Sequence, residues 1–357
     1  MDWRSFQRDL LQWFDASHRD LPWRKTKDPY AVWVSEIMLQ QTQVATVIPY
    51  YERFLARFPT PSDLATADEQ EVLRLWEGLG YYRRARSLHR AAQEIVGRFD
   101  GRFPEQFDQV HSLPGIGRYT AGAILSIALN QPTPILEGNT IRVHSRMHRV
   151  EDDINRSATQ KRLWDLASQA VDPDRSGDMN QALMELGSEV CKPRSPGCSH
   201  CPVRRHCAMS SAEEVESLPY NAKKEKLTDV HEAVVLVRRR GKLLLRQCQP
   251  GERWAGLWDF PRYAHNPEQV EAQLEQAVLK QTGLNVSSRN TGWSIRHGVT
   301  RYRIQLSCYV ADEVSGRLVQ RSKSLRWFDP HELEELPLSV TARKVARAMP
   351  DFWDPVS

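Results

Sequence analysis

No stretch of this chain stays apolar long enough to cross a bilayer. The longest apolar runs, such as Ala121–Leu129 and Ala233–Val237, fall far short of the ~20 residues a membrane-spanning helix needs. The N-terminus, Met1-Asp2-Trp3-Arg4, lacks the basic-then-apolar layout of a signal peptide. A cytoplasmic protein without membrane association is expected. Charge of one sign is scarce as well. The 49 Lys and Arg nearly balance the 45 Asp and Glu, leaving a net charge of +4. Bulk charge therefore requires no polyanionic partner, and any nucleic-acid contact must come from local patches. Six cysteines in 357 residues are too few for a disulfide-stapled secreted chain. No internal repeat at a period of 20–50 residues is present.

What is present is an ordinary globular composition, 40% hydrophobic and 26% charged, at a length that suggests two domains. From Phe6 to about Ala208 apolar residues recur at three- and four-residue spacing, as in Trp33, Ile37 and Val44, and in Val72, Leu75 and Trp76. That spacing predicts an all-α region over residues 1–208. Residues 209–228 are polar, charged and aperiodic, and read as a linker. Beyond them lie β-type runs at Ala233–Val237, Lys242–Arg246, Thr300–Val310 and Leu325–Phe328, with one helical segment at Pro267–Thr282. A small α+β domain over 229–357 is expected.

Four of the six cysteines crowd together as Cys191-x6-Cys198-x2-Cys201-x5-Cys207. Four thiolates in so short a loop can wrap a tetrahedral zinc or a [4Fe–4S] cluster, and spacing alone leaves both open. No acidic residue interrupts the loop, which also carries Lys192, Arg194, Arg204, Arg205 and His206. A basic loop of this kind suits phosphate, although a solvated charge run would look the same.

About seventy residues earlier, Leu113-Pro114-Gly115-Ile116-Gly117-Arg118-Tyr119 separates two helical patterns. Gly115 and Gly117 permit a tight turn that frees backbone amides at the start of the next helix, where a phosphate oxygen is well received. This hairpin, over about 105–129, resembles the helix-hairpin-helix of DNA glycosylases related to endonuclease III. The cysteine spacing in 191–207 matches the [4Fe–4S] loop of the same superfamily. Within it, Leu21-Pro22-Trp23-Arg24, Val34–Val44 and Gly78-Leu79-Gly80-Tyr81-Tyr82 resemble the adenine DNA glycosylases of the MutY type. The resemblance extends over essentially the whole chain.

That resemblance implies a monofunctional glycosylase that excises adenine mispaired with 8-oxoguanine, or with G, from double-stranded DNA. It implies a [4Fe–4S] cofactor on Cys191, Cys198, Cys201 and Cys207. A monomer is expected. Breaking an N-glycosidic bond needs a proton for the departing base and a carboxylate for the oxocarbenium-like sugar, as in the two-carboxylate scheme of glycosidases. Glu36 is the expected acid, on a helix whose same-face neighbours Val32, Trp33 and Leu39 are apolar and raise a carboxyl pKa. Glu137, in Leu136-Glu137-Gly138-Asn139, stands where the family carries aspartate. Its extra methylene displaces the carboxylate, and a misplacement of about 1 Å can cost on the order of a hundredfold in rate.

Asn139 is expected to orient the carboxylates or to cap a helix. Tyr119 occupies the position where lyase-competent relatives carry a nucleophilic lysine, and it cannot form a Schiff base. By the same resemblance Gln41 fills the gap left by a flipped base, while Trp23, Arg24, Leu39 and Glu185 line the base pocket. The acid-free stretch Arg83, Arg84, Arg86, His89 and Arg90 is either a phosphate track or a solvated helix face.

Residues 229–357 resemble a Nudix-like domain that reads the 8-oxoguanine strand. The helix expected to carry clustered metal-binding glutamates has Ala277, Lys280 and Gln281 instead, so recognition is expected rather than hydrolysis. The lesion-probing Phe-Ser-His of many members is replaced within Arg296–Arg303, with Thr300 offering the hydroxyl and Arg301 in place of the histidine. These departures keep two alternatives in view: a glycosylase of the same fold with another target base, and a lesion-binding protein with weak catalysis.

Overall fold

The computed structural model describes every residue except Ser210, 223–226, 266–270, 300–301, 320–323 and 350–357. It divides into two compact units. One comprises Met1–Ala67 with Arg86–Lys224, the other Asp68–Ala85 with Glu225–Ser357. The sequence reading places 68–85 with the helices before residue 208, whereas this segment groups with the C-terminal unit.

Among the described residues the chain before 223 is helical: α1 (Trp3–Ser17), α2 (Pro29–Leu39), α3 (Val44–Arg57), α4 (Pro61–Thr66), α5 (Glu69–Leu75), α6 (Arg83–Phe99), α7 (Phe107–His111), α8 (Arg118–Leu129), α9 (Gly138–Met147), α10 (Ser157–Ala170), α11 (Ser176–Glu185) and α12 (Ala212–Ser217). Helix α2 starts at Asp28, whose carboxylate accepts from the amides of Tyr30 and Ala31, with Pro29 at the first helical position. It is buried from Tyr30 through Met38, as expected of a helix apolar on every side. Any polar group on it is therefore placed in the interior, and Glu36 is one. Helices α7 and α8 form the predicted hairpin. Gly115 has φ +80°, and a Cβ there would stand 2.6 Å from the Cβ of Ser87, so the turn demands glycine on both counts. Gly117 has ordinary extended backbone at the N-cap of α8. A Cβ at Gly117 would meet nothing within 4 Å.

The segment read as a linker contains regular structure. Helix α12 lies within it, and Val215 and Leu218 are buried. The buried apolar residues Met209, Val215 and Leu218 are too few and too widely spaced among charges to show a period.

The C-terminal unit holds β1 (Thr228–Leu236), β2 (Arg238–Arg239), β3 (Lys242–Gln247), β4 (Trp258–Asp259), β5 (Arg262–Ala264), α13 (Glu271–Thr282), β6 (Leu284–Val299), β7 (Tyr302–Gly316), β8 (Leu325–Phe328) and α14 (Val340–Ala348). One sheet runs β5-β1-β7-β6, with β1 and β7 parallel; the other joins β2, β3 and β4, with β8 on β3. Along β1, Val234 and Leu236 enter one apolar cluster with Phe260, Leu306 and Phe328. Ala233 and Val235 enter another with Leu274 and Val278 of α13. Burial on both faces explains why β1 reads as an unbroken apolar run.

The 16-residue strand β6 was not visible in the sequence. Its middle, Ser287-Ser288-Arg289-Asn290-Thr291, is polar. Register shifts between Ser287 and Ser288, and between Asn290 and Ser294, break the alternation that would have betrayed it. Residues 296–299 are the end of β6 and 302–303 the start of β7, in keeping with the β-type run read from residue 300 onward, while Thr300 and Arg301 lie outside the described residues. Among the described residues no helix is long and apolar enough to cross a membrane.

Candidate active site and cysteine loop

Eight of the residues singled out from the sequence line one cavity of about 200 Å³ in the helical unit: Trp23, Arg24, Glu36, Leu39, Tyr119, Glu137, Asn139 and Glu185. This is below the roughly 300–1,000 Å³ of drug-sized pockets and suits a smaller group. Gln41, Gly115 and Gly117 are exposed and do not line it. Gln41 sits just beyond the end of α2 with φ +56°, a left-handed turn that sets it off the helix. Thr300 lies outside the described residues.

Glu36 is 5% exposed. Its Oε2 accepts a 2.6 Å hydrogen bond from the Tyr119 hydroxyl, which also reaches the Met184 sulfur at 3.5 Å. Burial pushes the Glu36 carboxyl up to about 7; the Tyr119 hydrogen bond pulls it down and the charge of Glu137 pushes it further up. The two carboxyl groups are thus electrostatic neighbours.

Glu137 is the N-cap of α9. Its Oε1 accepts from the amides of Asn139 at 2.9 Å and Thr140 at 3.0 Å, and the Thr140 hydroxyl accepts from the Glu137 amide at 2.8 Å. Glutamate is not a favoured N-cap residue; here the extra methylene folds back onto the helix start. Burial raises its pKa, against the amides of Asn139 and Thr140 and the charge of Arg142. Asn139 is therefore the residue capped rather than the cap. Its Oδ1 accepts from Arg142 at 2.8 Å, and Arg142 also donates to the Gly187 and Cys191 carbonyls at 2.6 and 2.7 Å. Hydrogen bonds thus run from the cavity to the cysteine loop.

The other wall is built on Glu185, 1% exposed. It accepts from the Arg19 amide and guanidinium and from Arg24 at 2.9 Å. Burial alone would raise this carboxyl, but the hydrogen bonds and charges of Arg19 and Arg24 outweigh it and hold it at about 2. Trp23 packs edge-on against Tyr51 with ring centroids 5.5 Å apart. Sequence reasoning missed Arg19, Gln181 and Met184, all of which line the cavity. The Gln181–Glu185 spacing of four on α11 could have signalled that both face the same way.

All four cysteines of 191–207 line a second, largely apolar cavity with Val143, Met147, Leu186, Val190 and Val203. All are free thiols. Arg146, 1% exposed, donates to the Cys191 sulfur at 3.4 Å and to the Lys192 and Pro193 carbonyls at 2.7 and 3.0 Å. Burial and the neighbouring thiols push Cys201 up to about 11. Among the described residues no three His, Cys, Asp or Glu side chains converge to hold a single metal ion. The loop's cations are less available than the sequence suggests. Arg205 and His206 pair with Asp9, and Arg204 donates to the Met209 carbonyl, while Lys192 and Arg194 are exposed. His89, placed on the basic stretch by sequence, is buried.

Residues 34–169 match the HhH-GPD superfamily of base excision DNA repair proteins, and residues 233–348 match the NUDIX domain. An adenine DNA glycosylase from Buchnera aphidicola subsp. Schizaphis graminum is 30% identical over 343 residues, covering 95% of this chain and 97% of that one. The chain belongs to the adenine DNA glycosylase family. The adenine DNA glycosylase of Rattus norvegicus is 44% identical over 294 residues, covering 79% of this chain and 56% of its own length. The chain thus spans about half the length of the mammalian family members it matches. A thermostable thymine-DNA glycosylase of known structure, 28% identical, overlays 58% of this chain and 95% of its own with a TM-score of 0.53.

Proposed function

We propose that this member of the adenine DNA glycosylase family is a cytoplasmic, monomeric and monofunctional enzyme that excises adenine paired with 8-oxoguanine, or with G, in duplex DNA. The observation that carries this reading is the hydrogen bond from half-buried Tyr119 to buried Glu36, beside Glu137. It supplies a carboxyl that still holds a proton near neutrality and a second carboxylate a short way off. Glu36 gives its proton to the adenine as the C1′–N9 bond breaks, so the base leaves neutral. The carboxylate of Glu137, held by two backbone amides, stabilises the positive charge on the sugar. Water then adds to C1′ and returns a proton to Glu36, leaving an abasic site. Tyr119 offers no amine, so the strand is not cut. Trp23, Arg24, Leu39 and Glu185 bound the space for the flipped base, and Asn139 keeps Glu137 in place. Gln41 is read as the residue that enters the stack the base has left, and Gly115 and Gly117 as the turn against the phosphates.

Cys191, Cys198, Cys201 and Cys207 fit a [4Fe–4S] cluster by their chemistry. Four free thiols share one apolar cavity, and a buried Arg146 approaches one of them, as befits thiolate ligands. When bound, the cluster supplies a rigid anchor for the loop and charge for Arg146 to balance. The Nudix-like unit, whose α13 carries Ala277, Lys280 and Gln281, is read as a recognition module for the 8-oxoguanine strand, with Thr300 as its hydroxyl.

A second reading, the same fold with another target base, is favoured by Glu137 alone. Single-turnover reactions on duplexes holding 8-oxoguanine:A, G:A or A:T, with free base identified chromatographically, separate the two. Free adenine from the 8-oxoguanine:A duplex, with strand scission only after alkali, is the expected result. Release of another base, or scission without alkali, would overturn it.

A further inference from the structure

The segment Asp68–Ala85 falls inside the HhH-GPD match yet groups with the C-terminal unit, and an ion pair joins it to α14. Arg343 of α14 donates through Nε to Glu77 Oε1 at 2.7 Å and through Nη2 to Oε2 at 2.8 Å, the two-pronged geometry that makes Arg–carboxylate pairs strong and directional. Nη1 and Nη2 also donate to the Leu333 and Leu336 carbonyls, and the Leu338 amide adds a third donor to Glu77 at 3.4 Å. Both side chains are 17% exposed, well shielded from the solvent that weakens surface pairs.

Glu77 leads directly into the turn Gly78-Leu79-Gly80-Tyr81-Tyr82. Gly78 (φ +107°), Gly80 (φ +69°) and Tyr81 (φ +47°) all have left-handed backbone. For tyrosine this conformation is costly and persists only where the surroundings impose it. The Trp76 indole and the Arg84 guanidinium brace the Gly80 carbonyl at 3.1 and 3.2 Å. The product of this bracing is a Tyr81 ring left 45% exposed, next to exposed Arg83. An exposed aromatic held rigidly beside arginine is suited to stack on a base while the cation meets phosphate.

We infer that the Glu77–Arg343 pair is a positioning contact. Through it α14 of the Nudix-like unit holds the Gly78–Tyr82 turn in its DNA-engaging conformation, so that the pair governs capture of DNA rather than bond cleavage. The inference rests on the glycosylase reading only for the claim about cleavage.

A double-mutant cycle on the full chain tests it. Glu77→Gln, Arg343→Gln, the double variant, Tyr81→Ala and Tyr81→Ala/Arg343→Gln would each be compared for Kd on an 8-oxoguanine:A duplex and for single-turnover rate at saturating protein. Each single change at the pair is expected to raise Kd about tenfold. The double variant should be no worse than either single one, and the rate at saturation should stay within about twofold. Tyr81→Ala should weaken binding in the native background and add little once Arg343 is replaced. That coupling, between residues not linked by the ion pair itself, is something a purely structural contact would not produce. Unchanged Kd in the single variants would overturn the inference. So would additive Tyr81 and Arg343 effects, or a saturated rate falling in step with Kd. A wild-type chain that binds the duplex but releases no base would defeat the glycosylase reading, while the Kd cycle would still test the positioning contact.

Discussion

The Tyr119 hydroxyl donates a 2.6 Å hydrogen bond to Glu36 across 83 residues of sequence, joining the start of α8 to the middle of α2. That bond opposes the burial that raises the Glu36 carboxyl to about 7. Removing it in Tyr119→Phe should let the carboxyl rise further. The alkaline limb of the pH–rate profile should then move to higher pH, with the acid limb unmoved. A limb that stays in place, or moves to lower pH, would show that the hydroxyl does not tune Glu36.

Glu36 is held at a cost to stability. Its folded-state value near 7 exceeds the ordinary 4.5, so between those values the native chain binds more protons than the unfolded one. The penalty is absent below about pH 4.5, grows as pH rises and is complete above 7. At 1.36 kcal/mol per unit it amounts to about 3 kcal/mol. Glu36→Gln should therefore lose base release by roughly 10²–10⁴-fold, yet resist denaturant better than wild type by roughly 2–3 kcal/mol at pH 8. At pH 4.5 it should show little difference. Equal stability at both pH values would mean that the buried carboxyl is not ionising as described.

For Glu137 stability and rate should separate. Aspartate is a good N-cap, so Glu137→Asp should keep stability within about 1 kcal/mol. The same change retracts the carboxylate by a methylene from the place where it now faces the cavity, and a rate loss of about 10–100-fold is expected. Glu137→Ala should lose both the cap, about 0.5–2 kcal/mol, and the activity. A Glu137→Asp variant faster than wild type would show the cavity to be shaped for the shorter acid.

Iron is the check on the cysteine loop. Purified chain should be brown and contain iron and acid-labile sulfide in equal amounts. Cys201→Ala should lose both and unfold at lower denaturant. A colourless, zinc-loaded protein would contradict the cluster.

Much of this was written in the sequence because it depends on local spacing. The helical period, the Gly115 turn and the four cysteines are short-range patterns, and the cavity draws together eight residues that motif resemblance had marked. What escaped depends on long-range pairing. Arg19 looked like any surface arginine until the fold brought Glu185 to it. The bulged and polar β6 had no period to read. His89 sat among arginines in sequence but turns inward on α6. Asn139 was read as orienting the carboxylates or capping a helix, but it is Glu137 that caps the helix start.

The most direct test of the central claim is the pH dependence of single-turnover adenine release from an 8-oxoguanine:A duplex. If Glu36 is the proton donor, with its carboxyl raised to about 7 by burial, the rate should fall tenfold per pH unit above neutrality. On the acid side it should fall as Glu137, whose carboxyl burial raises from its ordinary value, takes up a proton. A rate that stays flat to pH 9 would contradict this assignment.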